Sequence, residues 1–164
     1  MPERATVQRA KSQLRRGRAA STAAGEFVRE EMDHIREGKH GARSAKQAIA
    51  IGLSKARRAG VPLKPPTRGK ASTKRSARKA SAAGKAHPGR KPSRTRSRAT
   101  TKALQREPRR AASKRALASQ AHRAAGKRTA SSRSAAARKA ARTKGPVMRK
   151  AAARKAAATR RRHR

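Results

Sequence analysis

The sequence predicts an all-α protein with a small helical head over residues 1–60, built from two or three short helices that include a helical hairpin, and a long disordered basic tail over residues 61–164. Apolar residues recur with helical spacing before Pro62, whereas large apolar side chains are sparse beyond it. The burial of so few large apolar side chains does not offset the conformational entropy that is lost when the tail becomes ordered. The tail holds 35 of the 49 cations and one acid, while the head holds 14 cations and six acids.

The first predicted helix begins with Thr6 as its N-terminal cap. Val7, Ala10 and Leu14 follow at the i, i+3, i+7 spacing of one helix face. Gly17 is placed to end the helix, because glycine readily adopts the left-handed conformation found at helix C-termini.

The second helix is predicted over residues 23–37, after the capping candidates Ser21 and Thr22 and before a stop at Gly38. Its large apolar residues share one face and are Phe27, Val28, Met32 and Ile35. The third helix opens with Ser44 and Gln47 at capping-box spacing. It ends at Gly60, and its apolar residues are Ile49, Leu53 and Ala56.

The linker over residues 38–43 is short enough to fold the second and third helices into a hairpin. Gly52 allows those two helices to approach closely. The head contains few large apolar side chains, so we expect weak stability that improves with bound DNA or with self-association through the head.

Alanine, lysine and arginine dominate three tail segments, at residues 111–125, 134–144 and 150–159. These residue types have high helix propensity, but repulsion between the Lys and Arg side chains opposes helix formation. We therefore expect these segments to become helical when phosphates neutralise them.

The formal net charge of +42 predicts a polyanionic partner. Membrane binding needs an apolar face or a long apolar run, and the sequence offers neither, so we expect no membrane association and a cytoplasmic, nucleoid location. Cysteine, Trp and Tyr are absent and Phe27 is the only aromatic residue. Proteins that bind single strands or RNA loops stack unpaired bases on aromatic side chains, of which this sequence has only Phe27. The sequence therefore favours the phosphate backbone of duplex DNA as the target.

Acidic residues collect on the second predicted helix, namely Glu26, Glu30, Glu31, Asp33 and Glu37. They form a solvated face, or they dock the third helix or the tail, or they keep this helix away from DNA. Metal binding or catalysis by Glu31 with His34 and His40 is a third interpretation. A single Glu-x-x-His pair lacks the second pair of known helical metal sites. We therefore predict no metal, no cofactor and no enzymatic activity.

Sixteen cations are candidates for contact with nucleic acid. They flank the third helix, follow Pro88, or lie in the last third of the tail: Lys39, Arg43, Lys46, Lys55, Arg57, Arg58, Arg90, Lys91, Arg94, Arg96, Arg98, Arg138, Lys139, Arg160, Arg161 and Arg162. Arg and Lys side chains supply most phosphate contacts in DNA-binding proteins. Gly89-Arg90-Lys91-Pro92 partly resembles the AT-hook, with Lys91 inserted into the Gly-Arg-Pro core.

Residues 25–60, GEFVREEMDHIREGKHGARSAKQAIAIGLSKARRAG, resemble a family of small bacterial proteins of unknown function. The resemblance rests mainly on the Lys-Gln-Ala-Ile-Ala-Ile-x-Leu-Ser core at residues 46–54. Members tend to be labelled DNA-binding or plasmid-stabilisation proteins, and the resemblance implies such a role here. The tail is similar in composition to the C-terminal arm of linker histones and to Ala/Lys/Pro-rich bacterial histone-like proteins.

Together these observations predict a histone-like, nucleoid-associated protein that binds and compacts DNA without sequence specificity, by neutralising phosphates. Two alternatives stay open. One is an RNA- or ribosome-associated basic protein, and the other is an interaction module for plasmid maintenance with a DNA tether.

Overall fold

The computed structural model describes residues 2–88 and 90–162. All regular secondary structure in these residues is helical, with loops between the helices. Its elements are α1 Arg4–Arg15, α2 Ala20–Arg36, α3 Ala45–Arg58, α4 Ala71–Ala86, α5 Arg94–Gln105, a short 3-10 helix Arg109–Ala112, α6 Lys114–Gly126 and α7 Ala130–Arg162. The chain divides into two compact units, residues 1–120 and 121–164. The predicted fold class, a head of 60 residues before a disordered tail, is therefore wrong.

The first three helices lie where the sequence placed helices, with different N-termini. α1 begins at Arg4, so Thr6 is not its cap. Instead Thr6 is buried, and its hydroxyl oxygen accepts a hydrogen bond from Arg9 at 2.9 Å. α2 begins at Ala20 and contains Ser21 and Thr22 in its first turn. The α3 cap is as expected, because Ser44 Oγ accepts from the Gln47 amide at 3.2 Å while Gln47 Oε1 accepts from the Arg43 amide at 2.8 Å.

α2 is the central helix of the first unit, and it packs against α1, α3 and the 3-10 helix. Phe27 and Ile35 on α2 are fully buried. Gly52 permits the close α2–α3 approach, since a Cβ there would lie 2.8 Å from Val28 Cα. Two buried clusters form the core: Ala10, Ala23, Ala24, Phe27, Ala56 and Val61 in one, and Met32, Ile35, Ala42, Ala48, Ala111 and Ala112 in the other.

Small residues explain why the chain stays ordered beyond Pro62. α4 packs on α3 through Ala77, Ala80 and Gly84, which share one helix face. At Gly84 the approach is so close that a Cβ would lie 1.9 Å from the Arg57 carbonyl oxygen. Glycine and alanine stripes let backbones meet without large apolar side chains, and a count of large side chains misses this packing.

Backbone hydrogen bonds also tie the segment before the 3-10 helix to the loop after α2. The Gly41 amide donates to the Leu104 carbonyl at 2.9 Å, and the Ala42 amide donates to the Pro108 carbonyl at 3.1 Å. These bonds place Ala111 and Ala112 against the α2–α3 hairpin, where both are buried. Residues 104–112 are thus part of the fold of the first unit.

The second unit is dominated by α7, which is interrupted at Gly145. Gly145 has φ 66° and ψ 170°, and Pro146 follows it, so the i to i−4 hydrogen bonding is broken there. None of the described residues of this unit is buried. Its helix therefore depends on the propensity of Ala, Lys and Arg rather than on a core of its own.

Candidate nucleic-acid interface

Three of the five acids in and beside α2 do not lie on the solvated face that was one interpretation of the sequence, whereas Glu37 is exposed. Glu26, Glu30 and Glu31 are buried. Glu26 accepts a hydrogen bond from Arg9 of α1 at 3.1 Å. The Glu31 carboxylate contacts the Lys55 ammonium group of α3, as expected if an acid of α2 docks the third helix. These acids are used inside the first unit.

Cations at the start of α3 are mostly open to solvent. Arg43 and Lys46 are exposed on either side of the Ser44 cap. Lys39 is also exposed, but its ammonium group lies 2.8 Å from a Glu37 oxygen. This hydrogen bond to Glu37 raises the pKa of Lys39, so that amine is firmly charged and already paired. Arg43 and Lys46 have no acidic partner among the residues that the structure describes.

The structure brings four of the predicted cations together around one cleft of about 440 Å³, which we call the α3–α5 cleft. Lys55 and Arg58 lie on its α3 side, and Arg90 and Arg96 lie on its α5 side. Hydroxyl groups that are able to donate to phosphate also line it, those of Ser54, Ser97 and Thr101. Thr100 lines the cleft as well, but its hydroxyl donates to the Arg96 carbonyl oxygen at 2.9 Å. Glu31, His34 and His40 line the cleft as well. Because the Lys55 ammonium group is paired with Glu31, Arg58, Arg90 and Arg96 are the cations of the cleft that remain for phosphate.

Arg57 lies on a different face of α3, in a second cleft of about 440 Å³ between α3, the segment at residues 60–65 and α4. Its Nε is buried with no hydrogen-bond partner among the described residues, and burial lowers the pKa of this guanidinium. Sequence reasoning missed the cations across this α3–α4 cleft, Lys64, Arg78 and Lys85. Arg78, Ser81 and Lys85 are spaced i, i+3, i+7, a signal that becomes visible once residues 71–86 are taken as a helix.

Comparison with known families places a boundary within this unit. Residues 20–68 match a family of unknown function, DUF6496. No curated protein and no solved structure matches the chain. The DUF6496 segment covers α2, α3 and the loop to Arg68, so it contains the α2–α3 hairpin with its buried acids. The family description names no activity, and the DNA-binding and plasmid-stabilisation labels therefore stay expectations.

Outside the DUF6496 segment, the remaining candidates of the first unit lie on or just before α5. Lys91, Arg94 and Arg98 are exposed. Ser93 caps α5 by accepting from the Arg96 amide at 3.3 Å, which places the Arg-x-Arg-x-Arg run on a helix. In the AT-hook-like run, Gly89 lies outside the described residues. Arg90 and Lys91 precede α5 in a segment without regular secondary structure.

The other candidates lie in the second unit, on α7. Arg138, Lys139, Arg160, Arg161 and Arg162 are all exposed there. Residues 121–164 contain 16 Lys and Arg and no Asp or Glu. The cations of this unit therefore have no acidic partner within it, in contrast to Lys39 and Lys55 of the DUF6496 segment.

None of the helices described here is long and apolar enough to cross a membrane. Apart from Glu31, His34 and His40, the polar side chains described along the two clefts are guanidinium, ammonium and hydroxyl groups. Such groups bind phosphate oxygens by charge and by hydrogen bonds.

Proposed function

We propose that this protein binds duplex DNA without sequence specificity and compacts it, as a histone-like protein of the nucleoid. The observation that carries the proposal is the second unit, with 16 cations, no acid and no buried residue among those described. The cations of such a helix repel one another. Binding to DNA phosphates reduces this repulsion and releases small counterions.

The first unit supports the proposal in a different way. Arg58, Arg90 and Arg96 converge on the α3–α5 cleft with the hydroxyl groups of Ser54, Ser97 and Thr101. Arg43 and Lys46 add exposed cations beside the N-terminus of α3, where backbone amides favour anions. These groups would hold the compact unit against the DNA backbone and set its orientation, while α7 supplies most of the affinity.

The burial of the one aromatic residue favours duplex DNA over single strands and RNA loops as the ligand. Phe27 is fully buried in the core of the first unit. A protein that recognises unstacked bases usually stacks them on exposed aromatic side chains, and this chain has none to offer. A phosphate backbone needs no such platform.

The salt dependence of DNA affinity tests the proposal. We expect the logarithm of the affinity of the full chain to fall steeply with the logarithm of salt concentration. The triple variant Arg160→Gln, Arg161→Gln, Arg162→Gln should lose about 2–3 from the magnitude of that slope, since each phosphate contact contributes about 0.9. Fluorescence anisotropy with a labelled random-sequence duplex measures it.

The matched control is Arg15→Gln, Arg16→Gln, Arg18→Gln, which removes the same charge from exposed positions at the end of α1. Its slope should change by less than about 1. A wild-type slope near zero, or equal losses in both triple variants, would contradict the proposal. If structured RNA displaced the duplex at equal salt, the RNA-associated alternative would replace it.

A further inference from the structure

Three possible metal ligands meet at the α3–α5 cleft of the first unit. Glu31 and His34 are three residues apart on α2, and His40 lies in the loop that follows. One ligand atom from each lies within 4.8 Å of the other two. All three residues line the cleft, so an ion would have an entry path and room for a further ligand. The loop at residues 37–44 returns His40 to α2, which the sequence spacing alone does not reveal.

The orientation of His40 carries most of the argument. Its Nδ1 lies 3.0 Å from the Gly41 carbonyl oxygen, which only accepts hydrogen bonds, so Nδ1 bears the hydrogen. Its Nε2 lies 3.3 Å from Glu31 Oε1. In the neutral ring that nitrogen has a lone pair, and it faces another acceptor. A cation between the two atoms removes this conflict, and an imidazole held by a carbonyl at Nδ1 is the usual arrangement of a metal-binding histidine.

The spacing of these two atoms fits a zinc-like ion. Ligands 2.0–2.1 Å from a tetrahedral ion are about 3.3–3.4 Å apart, close to the 3.3 Å found between His40 Nε2 and Glu31 Oε1. His34 Nε2 is 3.3 Å from Glu3 Oε1 and 3.8 Å from Glu30 Oε1, and one ring nitrogen of His34 lies within 4.8 Å of the other two ligand atoms. Two imidazoles and a carboxylate are a catalytic-type zinc set rather than a calcium or magnesium set.

The local charge also accommodates an ion. Glu31 is fully buried, and its Oε1 has no hydrogen-bond donor among the described residues. Lys55 contacts Oε2 and thereby leaves Oε1 toward His40. Lys55 is a like-charged neighbour for a metal, and Arg58, Arg90 and Arg96 line the same cleft. Glu3 and Glu30, whose Oε1 atoms lie 3.3 Å and 3.8 Å from His34 Nε2, supply negative charge that opposes these cations.

We propose that Glu31, His34 and His40 bind one divalent transition-metal ion of the zinc class, with a position open to the α3–α5 cleft. This site shares the α3–α5 cleft with the phosphate-binding arginines but uses other residues, and metal binding does not depend on the DNA binding proposed above. The competing occupant is a proton on His40, which would make an imidazolium–carboxylate pair with no metal affinity.

Titration of the metal-free, untagged full chain with Co²⁺ tests the proposal, followed by displacement with Zn²⁺. We expect one ion per chain with the intense visible absorption of a four-coordinate Co²⁺ ion, abolished by Zn²⁺. His34→Ala and His40→Ala should each weaken binding at least about tenfold, the smaller end of the loss seen when a supporting partner of a metal ligand is removed. His87→Ala and His122→Ala, both at exposed residues that are not among those lining the cleft, are the controls and should leave Co²⁺ binding unchanged.

A measurement on the wild-type chain tests the site even if the histidine variants fail to fold. In long-range proton–nitrogen NMR spectra, Zn²⁺ should move the imidazole nitrogen signals of His34 and His40 and leave those of His87 and His122 in place. Absence of binding, six-coordinate Co²⁺ only, or equal shifts at all four histidines would overturn the site. A proton-only pair at His40 would show itself as the first of these outcomes.

Discussion

Glu26 and Glu37 are two acids of the same helix in opposite surroundings. Glu26 is buried, with Arg9 at 3.1 Å and Arg29 at 3.8 Å. Glu37 follows the last residue of α2, is exposed and pairs with Lys39 at 2.8 Å. A buried carboxylate that bonds a guanidinium from a neighbouring helix stabilises the fold, whereas an exposed pair is screened by water and salt.

The variants Glu26→Gln and Glu37→Gln should therefore differ in stability. Glu26→Gln should lower the free energy of unfolding by about 1–3 kcal/mol, because Arg9 loses its charged partner and the buried amide replaces a well-bonded carboxylate. Glu37→Gln should change it by less than about 1 kcal/mol. Urea unfolding followed by circular dichroism measures both, and equal losses would show that the burial of Glu26 does not matter.

At the residue level, the sequence supplied candidate cations but did not show which of them are already paired with an acid. Lys55 was an apparent phosphate ligand in the basic end of the third helix, yet it contacts the buried Glu31. Charge counts cannot distinguish the two fates, since pairing depends on which faces of two helices meet. The Glu31–His34 spacing was visible in the sequence, whereas the approach of His40 depends on the path of a loop.

Glycines at three helix positions have very different surroundings. Gly25 on α2 is exposed, and a Cβ there would meet nothing within 4 Å. A Cβ at Gly52 would lie 2.8 Å from Val28 Cα, and one at Gly84 would lie 1.9 Å from the Arg57 carbonyl oxygen. The first glycine only weakens its helix, while the other two set the distance between helices.

Alanine substitutions should separate these roles. Gly25→Ala should stabilise the protein by about 0.5–1 kcal/mol through helix propensity. Gly84→Ala should destabilise it by about 1–3 kcal/mol, because α4 must move away from α3. Thermal unfolding monitored at a helical circular-dichroism wavelength compares the two. A stabilising Gly84→Ala would mean that α4 does not pack on α3 as described.

The same stripe marks the limit of prediction for helices. Ala77, Ala80 and Gly84 have the spacing of a helix face, but they bury little area each, so a balance of large side chains against chain entropy predicted disorder. The α2–α3 hairpin was predictable because its apolar residues are large and its ends carry a Ser–Gln cap and a glycine stop. α4 depends on a close backbone approach that no single-sequence pattern reports.

At the level of the whole molecule, the two units differ in how many buried contacts hold them. Residues 1–120 contain both buried clusters, whereas the described residues of 121–164 contain none. Local opening is easiest where few groups are buried. The second unit should therefore open to a protease long before the first.

Brief digestion with trypsin at low enzyme ratio should produce a resistant fragment that retains α1 to α5 and ends near the boundary at residue 120. Mass spectrometry of the time course identifies its C-terminus. Excess duplex DNA should slow the loss of residues 121–164, since bound phosphates cover its Lys and Arg side chains. Accumulation of a fragment that ends near residue 60 would instead support the head boundary expected from the sequence.

The break at Gly145 gives α7 two straight rods of limited length. Residues 130–144 and 146–162, at 1.5 Å per residue, span about 22 Å and about 25 Å. One turn of duplex DNA is about 34 Å long, so each rod is shorter than the distance over which the phosphate ridge winds once around the axis. A single unbroken rod of about 50 Å would diverge from that winding path, whereas two rods joined at a glycine can change direction with it.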